Sequence, residues 1–456
     1  MQPSPSRRAF LEGVGLAGAG VAATARGSAD EPPRRPKIAA LTSAYFYLSH
    51  AHHVVGRFLD GFPVYDGGPG RSPEANHHQP AFDVASLYIE QVDDQTDLGR
   101  ARARERGVRL SPTIADALTL GTGALAVDAV LLIAEHGNYP INEKLQKLYP
   151  RHAYLQQVLD VFRASGKVAP VFVDKHLSYS RDQAAEMIAQ ARALKVPLMA
   201  GSSLPVTWRR PELEIPLGRP CREALVASRG AIEIFGFHAL EALQCMVERR
   251  DLRGKPQGVS AVTCLEGDAV WEAGDRGVWS WELLRHALGR SNTVNPGDVR
   301  RNTREYKRPN VADRQTMPDV PTAFVVEYVD GLRATALILN GHVDDTTVAL
   351  RTVDAAGRDT IVSTLTYLPA PPGASFFNPL VLRIEDFFRS GRPPYPVERT
   401  QLTGGILDVA LESRIRGHAR LETPDLAAIG YQAPVDSGFI RSPLTDPTPN
   451  RVCRRR

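Results

Sequence analysis

The 456-residue sequence predicts an α/β protein with an N-terminal doubly wound parallel sheet and a C-terminal α+β part built on an open, mostly antiparallel sheet. Three observations carry that prediction. Residues 168–203 read as strand, helix, strand, the unit that joins parallel strands through a helical crossover. Short apolar runs alternate with helical patterns from residue 37 up to that unit, as in a doubly wound sheet. Beyond Trp208-Arg209-Arg210 several runs alternate every second residue, as antiparallel strands with one wet face do.

In chain order, residues 31–36 (EPPRRP) form a linker and 37–41 a first strand. Residues 42–49 lead into a helix carrying Val54, Val55, Phe58 and Leu59. The stretch 61–80 is rich in Gly, Pro and His without periodicity, and reads as a long loop. A second strand at 84–89 ends in Glu90-Gln91. A polar helix at 98–106 closes on Gly107, followed by a third strand at 108–110 and a short helix at 113–118. The fourth strand, 127–134, ends in Glu135-His136-Gly137. A helix with Leu155, Val158, Leu159 and Phe162 on one face then leads to 168–173, a Val-rich strand ending at Asp174-Lys175-His176. Ser180 and Gln183 form a capping box, and Ala184, Met187, Ile188, Ala191 and Leu194 recur at helical spacing. Residues 196–200 make the next strand, stopped by Gly201-Ser202-Ser203. The second part offers a helix at 236–247 and strands at 258–266, 322–328, 334–339, 348–352 and 359–365. Further helices fall at 279–288, 379–390 and 401–416, and the tail from 434 is irregular. The division is a leader and linker at 1–36, then 37–207, 208–433 and 434–456.

With 43% apolar and 23% charged residues the chain is of the soluble globular type. The net charge of +4 is small and partly terminal, from Arg7, Arg8, Arg34, Arg35 and Arg454–Arg456, so nothing points to nucleic acid. Cys221, Cys245, Cys264 and Cys453 lack CxxC spacing, which argues against a zinc ribbon or a disulfide framework and leaves one bridge among the first three open. Ser6-Arg7-Arg8-Ala9-Phe10-Leu11 and the Gly/Ala-rich segment after it resemble a twin-arginine export signal, with small residues around 23–29 for cleavage. Export to the periplasm or the extracellular space is the expectation. No later segment approaches the roughly 20 apolar residues of a membrane span.

The segment PVFVDKHLSYSRDQAAEMIAQARALKVPLMAGSS resembles the central motif of the glucose-fructose oxidoreductase, inositol dehydrogenase and rhizopine-catabolism (Gfo/Idh/MocA) family. The family's Glu-Lys-Pro is Asp174-Lys175-His176 here, with the lysine kept. Its Asp-x-Gly-x-His is Ile234-Phe235-Gly236-Phe237-His238, with the glycine and histidine kept. The chain also resembles a divergent exported branch of that family. The resemblance implies a Rossmann-like nucleotide-binding part, an NAD or NADP cofactor, a sugar-like or polyol substrate, and pairing of copies through sheet faces. The Gly-x-Gly-x-x-Gly turn stands as Thr42, Ala44 and Tyr47, where a tyrosine at the third position would crowd helix against strand.

Lys175 is the first candidate for chemistry, and the resemblance gives it a place in a proton relay. As a base near neutrality its pKa would have to fall by roughly 3 units, helped by burial or by a charged His176 and opposed by Asp174. His238 is the second candidate, as acid/base or substrate ligand, with Glu241 one turn on to orient it. Glu135 and His136 end a neighbouring strand on the same edge. The turn Thr42, Ser43, Ala44 and Tyr45 would hold the cofactor, with Glu90 on a ribose hydroxyl. His50, His53 and Arg57 share one helix side. Two alternatives of other classes stand beside the oxidoreductase: a sugar-binding protein without catalysis, and a divalent-metal lyase, isomerase or hydrolase using His50, His53, Glu135, His136, Asp174, His176 and His238. Trp208-Arg209-Arg210 offers cations to an acidic or sugar-like ligand, or joins the two parts.

Overall fold

Strand β1 (Lys37–Thr42) leads to α1 (His50–Asp60), after which β2 (Phe62–Pro63) and β3 (His77–His78) make a small antiparallel ribbon. There follow β4 (Asp83–Ile89), α2 (Gly99–Arg106), β5 (Arg109–Leu110), α3 (Ile114–Thr119), β6 (Ala129–Ile133), α4 (Arg151–Ser165), β7 (Val171–Asp174), α5 (Arg181–Ala193) and β8 (Leu198–Gly201). The computed structural model describes residues 34–63, 77–309, 316–369 and 374–441. The arginine-rich leader and most of the 61–80 loop therefore lie outside the described residues, as does Cys453. The described residues from Pro36 to Arg441 belong to one compact unit.

Six strands form one parallel sheet in the order β5-β4-β1-β6-β7-β8. Counted without the ribbon this is 3-2-1-4-5-6, the order of dinucleotide-binding sheets, with its reversal between β1 and β6. Ile38, Ala39, Ala40 and Leu41 of β1 and all of β6 are buried, as inner parallel strands covered on both faces must be. β7 starts at Val171, later than the apolar run suggests, and Val168 is exposed. At α5 half of the capping box forms. The Ser180 hydroxyl accepts from the Gln183 N–H at 3.4 Å, while the Gln183 side chain takes the Ser178 hydroxyl at 2.6 Å instead of reaching back.

The second part runs β9 (Trp208–Arg210), β10 (Cys221–Ser228), α6 (Ile234–Val247), β11 (Val259–Glu266), α7 (Asp268–Asp275), α8 (Trp281–Leu288), α9 (Val299–Arg304), β12 (Thr322–Tyr328), β13 (Arg333–Ile338), β14 (Thr346–Val353) and β15 (Asp359–Tyr367). It closes with α10 (Phe377–Ser390), α11 (Val397–Ile415), β16 (Leu421–Glu422) and α12 (Pro424–Ala427). Its eight strands order as β16-β11-β12-β13-β10-β14-β15-β9, with β10–β13 parallel and the other pairings antiparallel.

The expectation of one wet face fails. α6 and α11 cover one side of this sheet, and Trp271, Trp279, Leu283 and Leu284 from α7, α8 and the turn between them cover Leu225, Ala323, Leu337 and Ala349 on the other. The polar members of the alternation are largely threonines, and Thr335, Thr347 and Thr352 are buried. The face that the resemblance would use for pairing copies is thus largely filled by the chain's own helices.

Helix α10 turns back to the first sheet. Its Leu380, Val381, Ile384 and Phe387 share a core with Val54, Val55 and Phe58 of α1. Residues 434–441, the described part of the tail, are irregular, as expected, but held: Arg249 Nη1 donates to Pro434 O at 2.6 Å and Ile440 N–H to Val206 O at 2.9 Å. Cys221, Cys245 and Cys264 are free thiols, so the bridge left open in the sequence does not form. Among the described residues no helix is long and apolar enough to cross a membrane.

Candidate active site

The carboxyl ends of β1, β6, β7 and β8 share the edge where open α/β sheets bind ligands. Lys175 follows β7 in the left-handed region, φ 60°, a strained conformation for a side-chain-bearing residue. Its N–H is tied to Gly201 O at 3.1 Å, and its Nζ donates to Glu135 Oε1 at 2.6 Å. The other oxygen of Glu135 accepts from Arg151 on α4. Burial alone would raise the Glu135 carboxyl, but Lys175 and Arg151 outweigh it and hold it well below the usual range. Lys175 therefore enters the site with a fixed, buried carboxylate partner.

Asp174 is engaged by α1. Its Oδ2 accepts from His50 Nδ1 at 2.6 Å, and its Oδ1 is buried without a partner. His176 Nε2 donates to Glu233 Oε1 at 2.9 Å while Nδ1 lies 3.4 Å from Arg151 Nη1. Burial first, then Arg151, lowers the His176 pKa, so the charged imidazole that would have helped Lys175 lose its proton is disfavoured. Glu233 is thereby committed to His176 and does not replace the aspartate that Ile234 displaces. His136 sits edge-on to Phe46, 5.2 Å between ring centroids, with a buried and unpartnered Nε2. Burial, then His50, pushes its pKa down to about 3.

From the second sheet, α6 brings His238 and Glu241 to the same edge. Ser202, just after β8, joins them: its Oγ lies 3.0 Å from His238 Nδ1 and also bonds Glu241 Oε2, which takes the Ser202 N–H at 3.0 Å. The orientation of His238 by Glu241 thus runs through a hydroxyl. Burial, then Lys175 and His50, holds His238 well below the usual imidazole range. Glu241 is fully buried and pushed up to about 7, burial outweighing the Ser202 bonds. Its Oε1 and Tyr395 Oη lack partners over Gly201, where an added Cβ would lie 2.9 and 2.6 Å from them.

The first turn is built differently from a glycine turn. Residues 43–49 separate β1 from α1, and Tyr47 lies exposed in that loop instead of wedging helix against strand. Tyr45 is the buried wedge, close to Gly56 of α1 and Gly99 of α2. The Thr42 hydroxyl donates to Tyr88 O at 2.8 Å and that of Ser43 to Glu135 O at 2.8 Å; Ala44 is buried. The Thr42 and Ser43 hydroxyls are thus spent on backbone carbonyls, and the Tyr45 hydroxyl is buried without a partner. The Ser49 side chain caps α1 by accepting from the His52 N–H. Glu90, exposed at the end of β4, bonds the Tyr139 hydroxyl.

His50, His53 and Arg57 do share a face, but it meets the start of α10. Phe377 stacks on His53 at 4.7 Å and abuts His50 at 5.1 Å, and Arg57 Nε donates to Asn378 Oδ1 at 2.6 Å. Among the described residues no three His, Cys, Asp or Glu gather as metal ligands. Of the seven candidates, His50 and Asp174 bond each other, Glu135 is taken by Lys175 and Arg151, His176 by Glu233 and His238 by Ser202, while His53 stacks on Phe377 and His136 lies edge-on to Phe46. Arg209 and Arg210 are structural, stacked on Phe439 at 4.2 Å and Tyr367 at 3.4 Å. A cavity of about 250 Å³ beside Lys144, Arg181 and Asp408 is lined by ion-paired charges. Sequence reasoning missed Arg151, Tyr395 and Phe377. Arg151 had a signal: a cation in the first turn of a helix opposes the macrodipole, so it needs another reason to be there.

No family model matches the chain, and no curated protein matches it. Solved structures do. GenD2 from gentamicin A biosynthesis, in complex with NAD, is 16% identical with a TM-score of 0.51, covering 85% of this chain and 96% of its own. The myo-inositol dehydrogenase of Lactobacillus casei, in complex with NAD(H) and myo-inositol, is 10% identical with a TM-score of 0.50, covering 86% of this chain and 100% of its own. The chain therefore has the fold of these two proteins: a Rossmann-like parallel sheet followed by a mixed-sheet part.

Proposed function

We propose that the chain is a nicotinamide-dependent oxidoreductase acting on a carbohydrate or polyol, of the Gfo/Idh/MocA kind that its two motifs resemble. One observation carries this reading. Lys175, at the end of a strand of the first sheet, and His238, on the helix α6 that covers the second, meet at the edge beside the strand-order reversal, each backed by a buried glutamate. A nicotinamide dinucleotide fits that edge at both ends. The unpartnered Asp174 Oδ1 and His136 Nε2 offer a carboxamide its hydrogen bonds, and Glu90 stands where an acid takes ribose hydroxyls. Between the ends, the His50 and Ala51 amides at the start of α1, ahead of the His52 amide capped by Ser49, are the donors available to a pyrophosphate.

When bound, the nicotinamide accepts or returns the hydride at the substrate carbon. Lys175, its counter-charge fixed by Glu135, donates to the substrate oxygen as negative charge grows there. His238, uncharged and with no protein partner on Nε2, takes the hydroxyl proton. Lys175→Met is expected to lower turnover about 10²–10³-fold, about 2.7–4 kcal/mol, with the fold intact by circular dichroism. Unchanged turnover on an identified substrate would remove Lys175 from the mechanism.

Nucleotide choice gives a second expectation. Glu90, with Asp93 and Asp94 close behind it in sequence, repels a 2′-phosphate. NADH should bind more tightly than NADPH by about tenfold or more, about 1.4 kcal/mol, in a calorimetric titration. Equal affinities would place the ribose elsewhere.

A second reading, a sugar-binding protein without nucleotide, is favoured by one feature: the start of α1 is covered by Phe377, and its His50 is engaged by Asp174. Denaturing the purified protein and weighing what is released by mass spectrometry separates the two. Co-purifying or saturably binding NAD(H) supports the oxidoreductase; failure to bind any dinucleotide supports the binding protein. Export through the twin-arginine signal is part of the proposal, and replacing Arg7 and Arg8 with lysine should keep the protein inside the cell.

A further inference from the structure

We propose that Glu241, acting through the Ser202 hydroxyl, is the positioning residue of His238 and the final resting place of the proton His238 removes, an inference that rests on the oxidoreductase reading. The geometry is a three-membered chain. Ser202 Oγ lies 3.0 Å from His238 Nδ1 and bonds Glu241 Oε2, whose position is fixed by the Ser202 N–H at 3.0 Å. A serine hydroxyl has one proton. Given to the carboxylate, it leaves Oγ as an acceptor for His238 Nδ1–H. That selects one tautomer and leaves the lone pair on Nε2, the ring nitrogen without a protein partner.

The relay also resolves a conflict of magnitudes. His238 by itself is a poor store for a proton, because burial, Lys175 and His50 all disfavour its charged form. Glu241 suffers from burial in the opposite sense, which favours its protonated form and brings it up to about 7. Facing Glu241 are Ser202 just after β8, Asp174 from β7, Arg399 from α11, Tyr395 from the stretch before α11, and His238 and Cys245 along α6. Arg399 is the cation among them, and Glu248 already binds it at 2.5 and 2.8 Å.

In the oxidation direction a proton moves along His238, Ser202 and Glu241 while the substrate carbon loses a hydride. The substrate O–H bond breaks as His238 Nε2 gains the proton. Nδ1 gives its proton to Ser202 Oγ, and Ser202 passes its own to Glu241 Oε2. The hydrogen on carbon leaves with its electron pair to the nicotinamide, and the carbonyl forms. His238 ends neutral in the other tautomer, and Glu241 ends as a carboxylic acid.

The test reads protonation, not turnover, so it stands apart from nucleotide binding. In the full chain labelled with ¹⁵N-histidine, the His238 resonances, assigned with His238→Gln, should show the Nδ1–H tautomer. Ser202→Ala should shift them towards Nε2–H. Infrared difference spectra should show a buried carboxylic acid titrating near pH 7, a band lost in Glu241→Gln. Glu241→Gln keeps an acceptor for the Ser202 N–H, so a folded variant is at hand even where Ser202→Ala unfolds. An Nε2–H tautomer in the unaltered protein, or a band that survives Glu241→Gln, would overturn the relay. With the His238–Ser202–Glu241 chain present and no dinucleotide bound, Glu241 keeps its positioning role, and the oxidoreductase reading falls together with the transfer of a substrate proton.

Discussion

Replacing Glu135 with alanine is expected to destabilise the fold by about 3–5 kcal/mol, seen as a lower urea midpoint at unchanged slope. Glu135, Lys175 and Arg151 are 2%, 4% and 1% exposed, so water cannot take over the role of the missing carboxylate. Two cations would be left facing each other where their repulsion is weakly screened. Lys175→Met should cost less, because Glu135 keeps Arg151. The same group sets an acid limit. The folded carboxyl titrates below an unfolded glutamate at about 4.3, so its contribution is complete above that pH and is lost as pH falls through the folded value. In Glu135→Ala this part of the acid dependence should be absent from urea midpoints measured as a function of pH.

Arg399→Met should be about as damaging, again about 3–5 kcal/mol. Arg399 and Glu248 are both fully buried, joined through Nε–Oε2 at 2.8 Å and Nη2–Oε1 at 2.5 Å. The Tyr431 hydroxyl, 2.9 Å from Oε2, would remain as partner to a stranded charge. The informative comparison is the double variant Arg399→Met/Glu248→Leu. A buried ion pair removed as a whole costs little, since both desolvation penalties vanish with it. The double variant should regain most of the lost midpoint, giving a large coupling in the mutant cycle. Equal losses in single and double variants would show that the guanidinium matters mainly as packing on Tyr395, 4.2 Å beneath it.

The first sheet was legible because its inner strands β6, β7 and β8 are short, apolar and fully buried, and its helices carry capping signals such as Ser180 and Gly107. The second was legible only in part. β10 opens with Cys-Arg-Glu and β9 is Trp-Arg-Arg, and such strands take their identity from partners, not from their own pattern. The second apolar face hid behind threonines. At the site, the residue types and the shared edge could be read, since strand ends in a doubly wound sheet converge by topology. The pairings could not. Nothing in Asp174-Lys175-His176 says that each of three neighbours bonds a different element: α1, the end of β6, and the approach to α6.

The return of α10 to the first sheet bears on how the chain is made. A nascent chain that has emerged only as far as β8 has all six parallel strands but lacks Leu380, Val381, Ile384 and Phe387. Its α1 face would stay greasy until nearly two hundred more residues had been synthesised (198 to 387). Closing that gap is a contact of very long sequence separation, the kind that slows folding and invites aggregation or chaperone capture on the way. A fragment ending at residue 207 should therefore bind a hydrophobic dye strongly, and adding back a peptide spanning 374–392 should suppress that signal.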